Sequence, residues 1–142
     1  MSFLSQLFRS LKKSIAPSVG DTNTQMVLPL ARFLRHSKDF SKSASIVKQT
    51  AFIPGNEGRL SVFRIDGLML GDIEALGKQH ISKFYGWAQL KTADVEKTSL
   101  KIDFNNQPER HADLVNWPPD KEERKSIALE LATASTLVLC SQ

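Results

Sequence analysis

The spacing of hydrophobic and polar residues predicts short strands through the middle of the chain. Between residues 44 and 117, apolar runs of five to nine residues alternate with clusters of turn-forming residues, which is typical of strands and their connections. The predicted strands are Ser45–Ile53, Leu60–Ile65, Phe84–Leu90, Leu100–Phe104 and His111–Trp117. The segment 54–59 (PGNEGR) has the composition of a hairpin loop, so we expect it to join the first two strands.

Helical spacing of apolar residues marks both ends of the chain. Residues 3–15 predict an amphipathic helix with a basic polar face, ended by Pro17 and a polar linker. At the other end, Asp120 and Glu123 have the spacing of a capping box. We expect the helix that they open to run to about Leu139, buried against the sheet because its second half is apolar on nearly all sides.

Two further helices are predicted between these ends. A short helix is expected at Leu30–His36, and a longer one runs from Asp72, its N-terminal cap, to Ile81. The order of elements indicates an α+β fold: a mostly antiparallel sheet of four to five strands covered by helices. We assign residues 1–28 to the basic helix and linker, and residues 29–142 to a single domain, since 142 residues is an ordinary domain length.

Composition narrows the class of protein. A hydrophobic content of 41% with 24% charged residues is ordinary for a soluble folded chain. The only cysteine, Cys140, excludes an intrachain disulfide framework and favours a reducing compartment. No apolar run approaches the roughly 20 residues that cross a bilayer. We therefore expect a cytoplasmic protein.

Charge is distributed unevenly along the chain. Residues 1–48 carry eight Lys or Arg and two Asp, whereas the remainder has thirteen acids against eleven bases. A basic leading segment indicates an anionic partner, either an acidic protein surface or the phosphates of a nucleic acid. Phe33 or Phe40 is placed to stack on a base, although both are more typical of a core. The predicted partner-binding residues are Arg9, Lys12, Lys13, Arg32, Arg35, His36, Lys38, Lys42 and Lys48.

The N-terminal helix has three interpretations. Its apolar face can dock in the groove of a partner protein, or it can fold back onto the domain. Contact with a membrane surface through residues 3–15 is the least favoured, because one short helix binds lipid weakly. The oligomeric state is not indicated.

One segment brings catalytic residue types together. In a strand, His111 and Asp113 project to the same face, and a carboxylate beside an imidazole keeps it oriented and basic. Arg110 and the nearby strand residue Arg64 complete a candidate pocket as clamps for an anion. The sequence singles out no nucleophile, so we assign no catalytic residue.

Cofactor and metal motifs are missing from the sequence. The three histidines are far apart, without the spacing of a zinc site. The glycines match no nucleotide-binding loop. We expect neither a cofactor nor a metal.

The segments AFIP (51–54), SVFR (61–64) and RHADLVNWP (110–118), followed by a long apolar helix, resemble a small group of uncharacterised bacterial proteins. The resemblance spans residues 44–139 and implies no activity. It marks Arg64, Arg110 and His111 as the first positions to mutate.

Three hypotheses follow. The leading one is a non-enzymatic accessory protein whose basic N-terminal third engages an acidic protein or a nucleic acid. The second is a sequence-nonspecific nucleic-acid-binding protein. The third is a small enzyme acting on a nucleotide or phosphate ester, with His111 as base and Arg64 or Arg110 as anion clamp.

Overall fold

A six-stranded antiparallel sheet with three helices forms the body of the protein. The computed structural model describes residues 27–140, and it confirms the α+β class. The predicted N-terminal helix, with Arg9, Lys12 and Lys13, lies outside the described residues. No helix within residues 27–140 is long and apolar enough to cross a membrane.

The first four strands precede the first helix, and the other four strands are interspersed with the three helices of residues 27–140. The strands are β1 (Pro29–Leu34), β2 (Phe40–Ser41), β3 (Ile46–Val47), β4 (Leu60–Arg64), β5 (Gly86–Lys91), β6 (Lys101–Asp103), β7 (His111–Val115) and β8 (Thr136–Leu139). The helices are α1 (Leu70–His80), α2 (Thr92–Glu96) and α3 (Lys121–Ala134). The large sheet has the order β6-β7-β4-β1-β5-β8, and β2 pairs with β3 in a separate ribbon. The large sheet therefore has six strands, whereas four to five were predicted.

Strand β1 lies in the middle of the sheet, and the helix predicted at Leu30–His36 is wrong. Its residues pair with β4 on one side and with β5 on the other. Leu30 and Leu34 are buried on one face, and Ala31 and Phe33 on the other. A strand buried on both faces has no polar alternation, which is why its apolar spacing looked helical.

Two hydrophobic layers hold helices against the sheet. On one face, the leucines of β1 and β4 pack with Leu131 of α3 and with a 3-10 turn at Gln49–Phe52. On the other face, Phe33, Phe63 and Trp87 pack around Ile73 of α1. The fold is thus a three-layer sandwich, with helix, sheet and helix in turn.

The C-terminal helix is shorter than predicted. Asp120 caps it as expected, since its Oδ2 accepts a hydrogen bond of 3.0 Å from the Glu123 amide. The helix ends at Ala134, however, and Thr136 with the three apolar residues that follow it forms β8 along β5. The helix packs against the sheet through Ala128, Leu131 and Ala132, as expected, but its second half is not buried throughout, because Leu129 is exposed. A short apolar run suits a helix or a strand equally, and here the free edge of β5 selects the strand.

The other predicted elements divide into confirmed and corrected ones. The structure confirms the predicted strands at β4, β5, β6 and β7 and the predicted helix at α1. Met69, not Asp72, is the cap residue of α1; Asp72 lies in the first turn, and its carboxylate accepts a hydrogen bond from the Met69 amide. The strand predicted over Ser45–Ile53 is wrong beyond Val47, where the 3-10 turn begins. The 54–59 segment is not a hairpin loop, because β4 pairs with β1 and β7 instead of β3.

Gly86 allows β8 to pack closely on β5. Its φ is +152°, and a Cβ there would lie 2.2 Å from the Val138 carbonyl oxygen.

We expect Gly86→Ala to lower the free energy of unfolding by about 2–4 kcal/mol, because the backbone of β8 must move. Urea denaturation measures this effect. Gly71→Ala is the matched control, since nothing lies within 4 Å of its Cβ position and a helical alanine is at least as stable as glycine. Equal losses in the two variants would contradict the close approach of β8.

Candidate functional site

The site begins where the ladder between β1 and β4 stops. These strands pair at Leu30 and Ala31 only. Beyond that point the guanidinium of Arg32 spans the gap: its Nε donates to the Ala51 carbonyl at 2.8 Å and its Nη1 to the Ser61 carbonyl at 2.9 Å. Burial, with a smaller contribution from nearby Arg35, lowers the pKa of Arg32 to about 10, while Asp39 opposes the change. Arg32 therefore remains a cation at neutral pH, fixed by two backbone acceptors.

A cavity of about 380 Å³ adjoins this gap, and five basic side chains line it. We call it the basic cavity; its basic residues are Arg32, Arg35, His36, Lys38 and Arg59. Four of these belong to the cluster predicted from the sequence, whereas Lys42 and Lys48 lie outside the cavity lining. A second hollow of about 260 Å³ shares Arg35, His36 and Lys38 and adds Lys83. Of the six predicted basic residues that lie within residues 27–140, four therefore face one concave surface.

The exposed bases of the basic cavity are not neutralised by acids. Within residues 27–140, no ion pair involves Arg35, His36 or Lys38, and all three are solvent-exposed. Arg59 is the exception, because its guanidinium bonds to two carboxylates. The cavity therefore offers several donors and positive charges to a ligand.

One acid, Asp39, belongs to the wall of the basic cavity. It is only 6% exposed, and its Oδ1 has no hydrogen-bond partner among the described residues. A buried carboxylate oxygen without a donor is costly. Asp39 therefore places a buried negative charge near Arg32, whose pKa it acts to raise.

Beside the cavity, Ser61 begins a chain of side-chain hydrogen bonds. Its Oγ lies 2.6 Å from Nε2 of His111, and Nδ1 of His111 lies 2.7 Å from Oδ1 of Asn105. Because the amide of Asn105 donates to Asp113 at 2.8 Å, its oxygen faces the imidazole and must accept from Nδ1. The proton of a neutral His111 is then on Nδ1, and Nε2 accepts from the serine hydroxyl.

Strand register brings these side chains to one face of the sheet. Ser61 of β4 lies opposite Asp113 of β7, which in turn lies opposite Asp103 of β6. Directly opposed residues project to the same side. The ring of Phe63, opposite His111, meets the imidazole edge to face with centroids 5.2 Å apart. His111 is thus held by packing as well as by hydrogen bonds.

The hydrogen-bonded residues Ser61, His111, Asn105 and Asp113 are called the serine chain. Arg59 joins the serine chain to the basic cavity. Its Nε donates to Oδ2 of Asp113 at 3.0 Å, and its Nη2 bonds to the carboxylate of Asp103. These bonds, the one to Asp113 first, raise the pKa of the Arg59 guanidinium. Arg59 and Ser61 both line the basic cavity, so the two features form one site.

The candidate pocket predicted from the sequence divides into two groups. His111 and Asp113 belong to the serine chain. Arg64 and Arg110 instead meet at Asp66, each 3.7 Å from its Oδ1, and Arg110 also donates to the Arg64 and Asp66 carbonyls. Neither arginine lines the basic cavity. Within residues 27–140, no group of three His, Cys, Asp or Glu is arranged to hold a metal ion.

The sequence pattern does not single out Ser61, Asn105, Arg59 or Asp39 as site residues, and Ser61 enters only as part of the predicted strand Leu60–Ile65. Ser61 is a polar residue between the buried Leu60 and Val62 of β4, and β4 pairs with the strand that contains His111. Recognising it required the β4–β7 register, which no local pattern encodes.

Comparison of the chain with models of protein families, with curated proteins and with solved structures finds no match. Function is therefore inferred from the geometry of the site.

Arg32 has a structural role that can be separated from its charge. We expect Arg32→Lys to lower the free energy of unfolding by about 1–3 kcal/mol, because a lysine cannot satisfy the Ala51 and Ser61 carbonyls together. Arg35→Lys is the matched control, and it should change stability by less than about 0.5 kcal/mol at an exposed position. Urea denaturation followed by circular dichroism compares them. Indistinguishable midpoints would show that Arg32 does not brace the gap.

Proposed function

We propose that this protein is an interaction protein that binds an acidic segment of a partner protein in the basic cavity. The observation that carries the proposal is the convergence of Arg32, Arg35, His36 and Lys38 on one concave surface, where no acid among residues 27–140 is paired to the exposed members. Guanidinium groups bind carboxylates through paired, charge-assisted hydrogen bonds.

Preorganisation supports binding at this place. The Arg32 guanidinium is held by two backbone carbonyls, so it loses little conformational entropy when it meets a ligand. Arg35 and Lys38 are both exposed. Arg35 precedes the short 3-10 turn Ser37–Asp39, and Lys38 lies within it. One fixed donor and several adaptable ones suit carboxylates on a flexible peptide.

One observation favours an acidic peptide over a nucleic acid. The proposed stacking aromatics are occupied within the fold: Phe33 is buried against Phe63, and Phe40 packs on Tyr85. Nucleic-acid binding without sequence preference ordinarily uses exposed aromatic platforms.

The leading segment extends this proposal. Arg9, Lys12 and Lys13 carry the same sign of charge as the basic cavity, so they would strengthen the long-range attraction of an acidic partner. Removing residues 1–26 should then lower the association rate at low salt and leave the cavity-dependent contribution in place.

Binding is tested with a fluorescein-labelled glutamate-rich peptide and the full-length protein, by fluorescence anisotropy at low salt. We expect saturable binding that the double charge reversal Arg35→Glu/Lys38→Glu weakens at least about tenfold, since two charge-assisted contacts are lost. Lys42→Glu/Lys48→Glu is the matched control with the same change of net charge, and it should weaken binding by about twofold or less, through screened long-range attraction alone.

Three outcomes would contradict the proposal. The first is a lack of peptide binding by the folded protein. The second is an equal loss in both double variants, which would mean that net charge and not the basic cavity drives binding. The third is tighter binding of labelled single-stranded DNA or RNA, with a steep salt dependence, which would favour the nucleic-acid alternative.

A further inference from the structure

The serine chain has the connectivity of a nucleophile, a base and an orienting group. The Ser61 hydroxyl is 2.6 Å from His111 Nε2, and the opposite ring nitrogen is held at 2.7 Å by Asn105. A serine hydroxyl is a weak nucleophile until a correctly oriented base accepts its proton. The same roles recur on unrelated folds and are recognised by geometry, not by sequence position.

From this arrangement we infer that Ser61 is the nucleophile of an esterase site, acting on a small carboxylic ester that carries an anionic group. This activity is distinct from the proposed docking of an acidic partner. Ser61 lines the basic cavity, so the cations there would hold the anionic end of the ester. A volume of about 380 Å³ is within the range of small-molecule sites.

The surroundings of His111 favour proton transfer. The imidazole is largely buried, with 13% of its side chain exposed, and Phe63 fixes its plane. When Nε2 takes the serine proton, the ring becomes a cation whose nearest carboxylate oxygen, Oδ1 of Asp113, is 3.7 Å away. Asp113 is thereby placed to stabilise the imidazolium.

Charge that develops on the substrate also has partners. Attack on an ester places a negative charge on the former carbonyl oxygen, and preorganised donors lower the energy of that state. Arg59 lines the same cavity as Ser61, and its guanidinium is held by Asp113, which lies opposite Ser61 in the sheet. We assign Arg59 as the donor to this oxyanion.

The reaction has two steps. First, Oγ of Ser61 bonds to the ester carbonyl carbon while His111 takes the hydroxyl proton; the bond to the leaving alcohol breaks, and His111 gives that alcohol the proton. Next, His111 takes a proton from water, the hydroxide oxygen bonds to the acyl carbon, and the bond to Ser61 breaks as its oxygen regains the proton. An ester and water yield a carboxylic acid and an alcohol, so atoms and charge balance.

The test uses the full-length protein with p-nitrophenyl hemisuccinate, which bears a carboxylate, and p-nitrophenyl acetate, which does not. We expect hydrolysis with at least about a tenfold preference for the hemisuccinate, because its carboxylate gains charge-assisted hydrogen bonds from the cations of the cavity. Ser61→Ala should abolish it, and His111→Gln should lower the rate about 100-fold or more. Arg35→Gln should reduce the hemisuccinate rate by a larger factor than the acetate rate.

Positioning and folding are checked separately. Asn105→Ala should shift the pH profile of hydrolysis as well as its rate, because His111 loses its orienting partner, whereas loss of stability alone would leave the profile in place. Ser82→Ala, at an exposed serine outside the site, is the control and should be fully active. Circular dichroism verifies that each variant is folded.

A measurement on the unmodified protein keeps the inference falsifiable if a variant fails to fold. A fluorophosphonate probe should label the wild-type chain on the peptide that contains Ser61, and hemisuccinate should compete with it. Labelling elsewhere, no labelling of the folded protein, or full hydrolysis by folded Ser61→Ala would each overturn the assignment. Peptide binding to the basic cavity can succeed or fail independently of these results.

Discussion

The guanidinium of Arg32 is the contact on which this architecture depends. It stands in the central strand of the sheet, at the point where pairing between β1 and β4 ends, and it supplies the donors that the missing ladder would otherwise provide. Burial of a cation is favourable only when its hydrogen bonds are satisfied. The Ala51 and Ser61 carbonyls meet that requirement, and they connect the 3-10 turn, β1 and β4 around one charge.

The gap between two strands also explains why a binding surface exists there. Continuous pairing would close the space that Arg32 and Ser61 now border. The gap is lined by β1, by residues 35–39, by residues 50–55 and by the start of β4, so residues from four segments reach it. Arg59 then links this surface to the carboxylates of β6 and β7. The cations that could bind an anion and the hydrogen-bonded Ser61 therefore line the same cavity.

Much of the fold was predictable where the determinants are local. The alternation of β4 and β7 and the Asp120 cap each depend on neighbours within a few residues, and these were assigned correctly. Strand β1 was not, because burial of both faces removes the alternation that identifies strands. Strand β8 was not assigned correctly either. A run of four residues, three of them apolar, takes its structure from the sheet edge that it meets, which here is β5.

The site was predictable only in part for the same reason. Arg32, Arg35, His36 and Lys38 are close in sequence, so their clustering was visible in the charge pattern. The partnership of Ser61 with His111 depends on strand register over 50 residues of separation, and that of Asp39 with the cavity depends on burial. Neither can be read from a local pattern.

The most direct test of the account is a two-dimensional NMR titration of the full-length protein with a glutamate-rich peptide, following arginine Nε–H and backbone amide resonances. We expect the largest shifts at Arg32, Arg35, Lys38 and Arg59, growing together to saturation with one apparent affinity. Shifts that spread instead over Lys42, Lys48 and the exposed face of α3, with Arg32 unaffected, would contradict it.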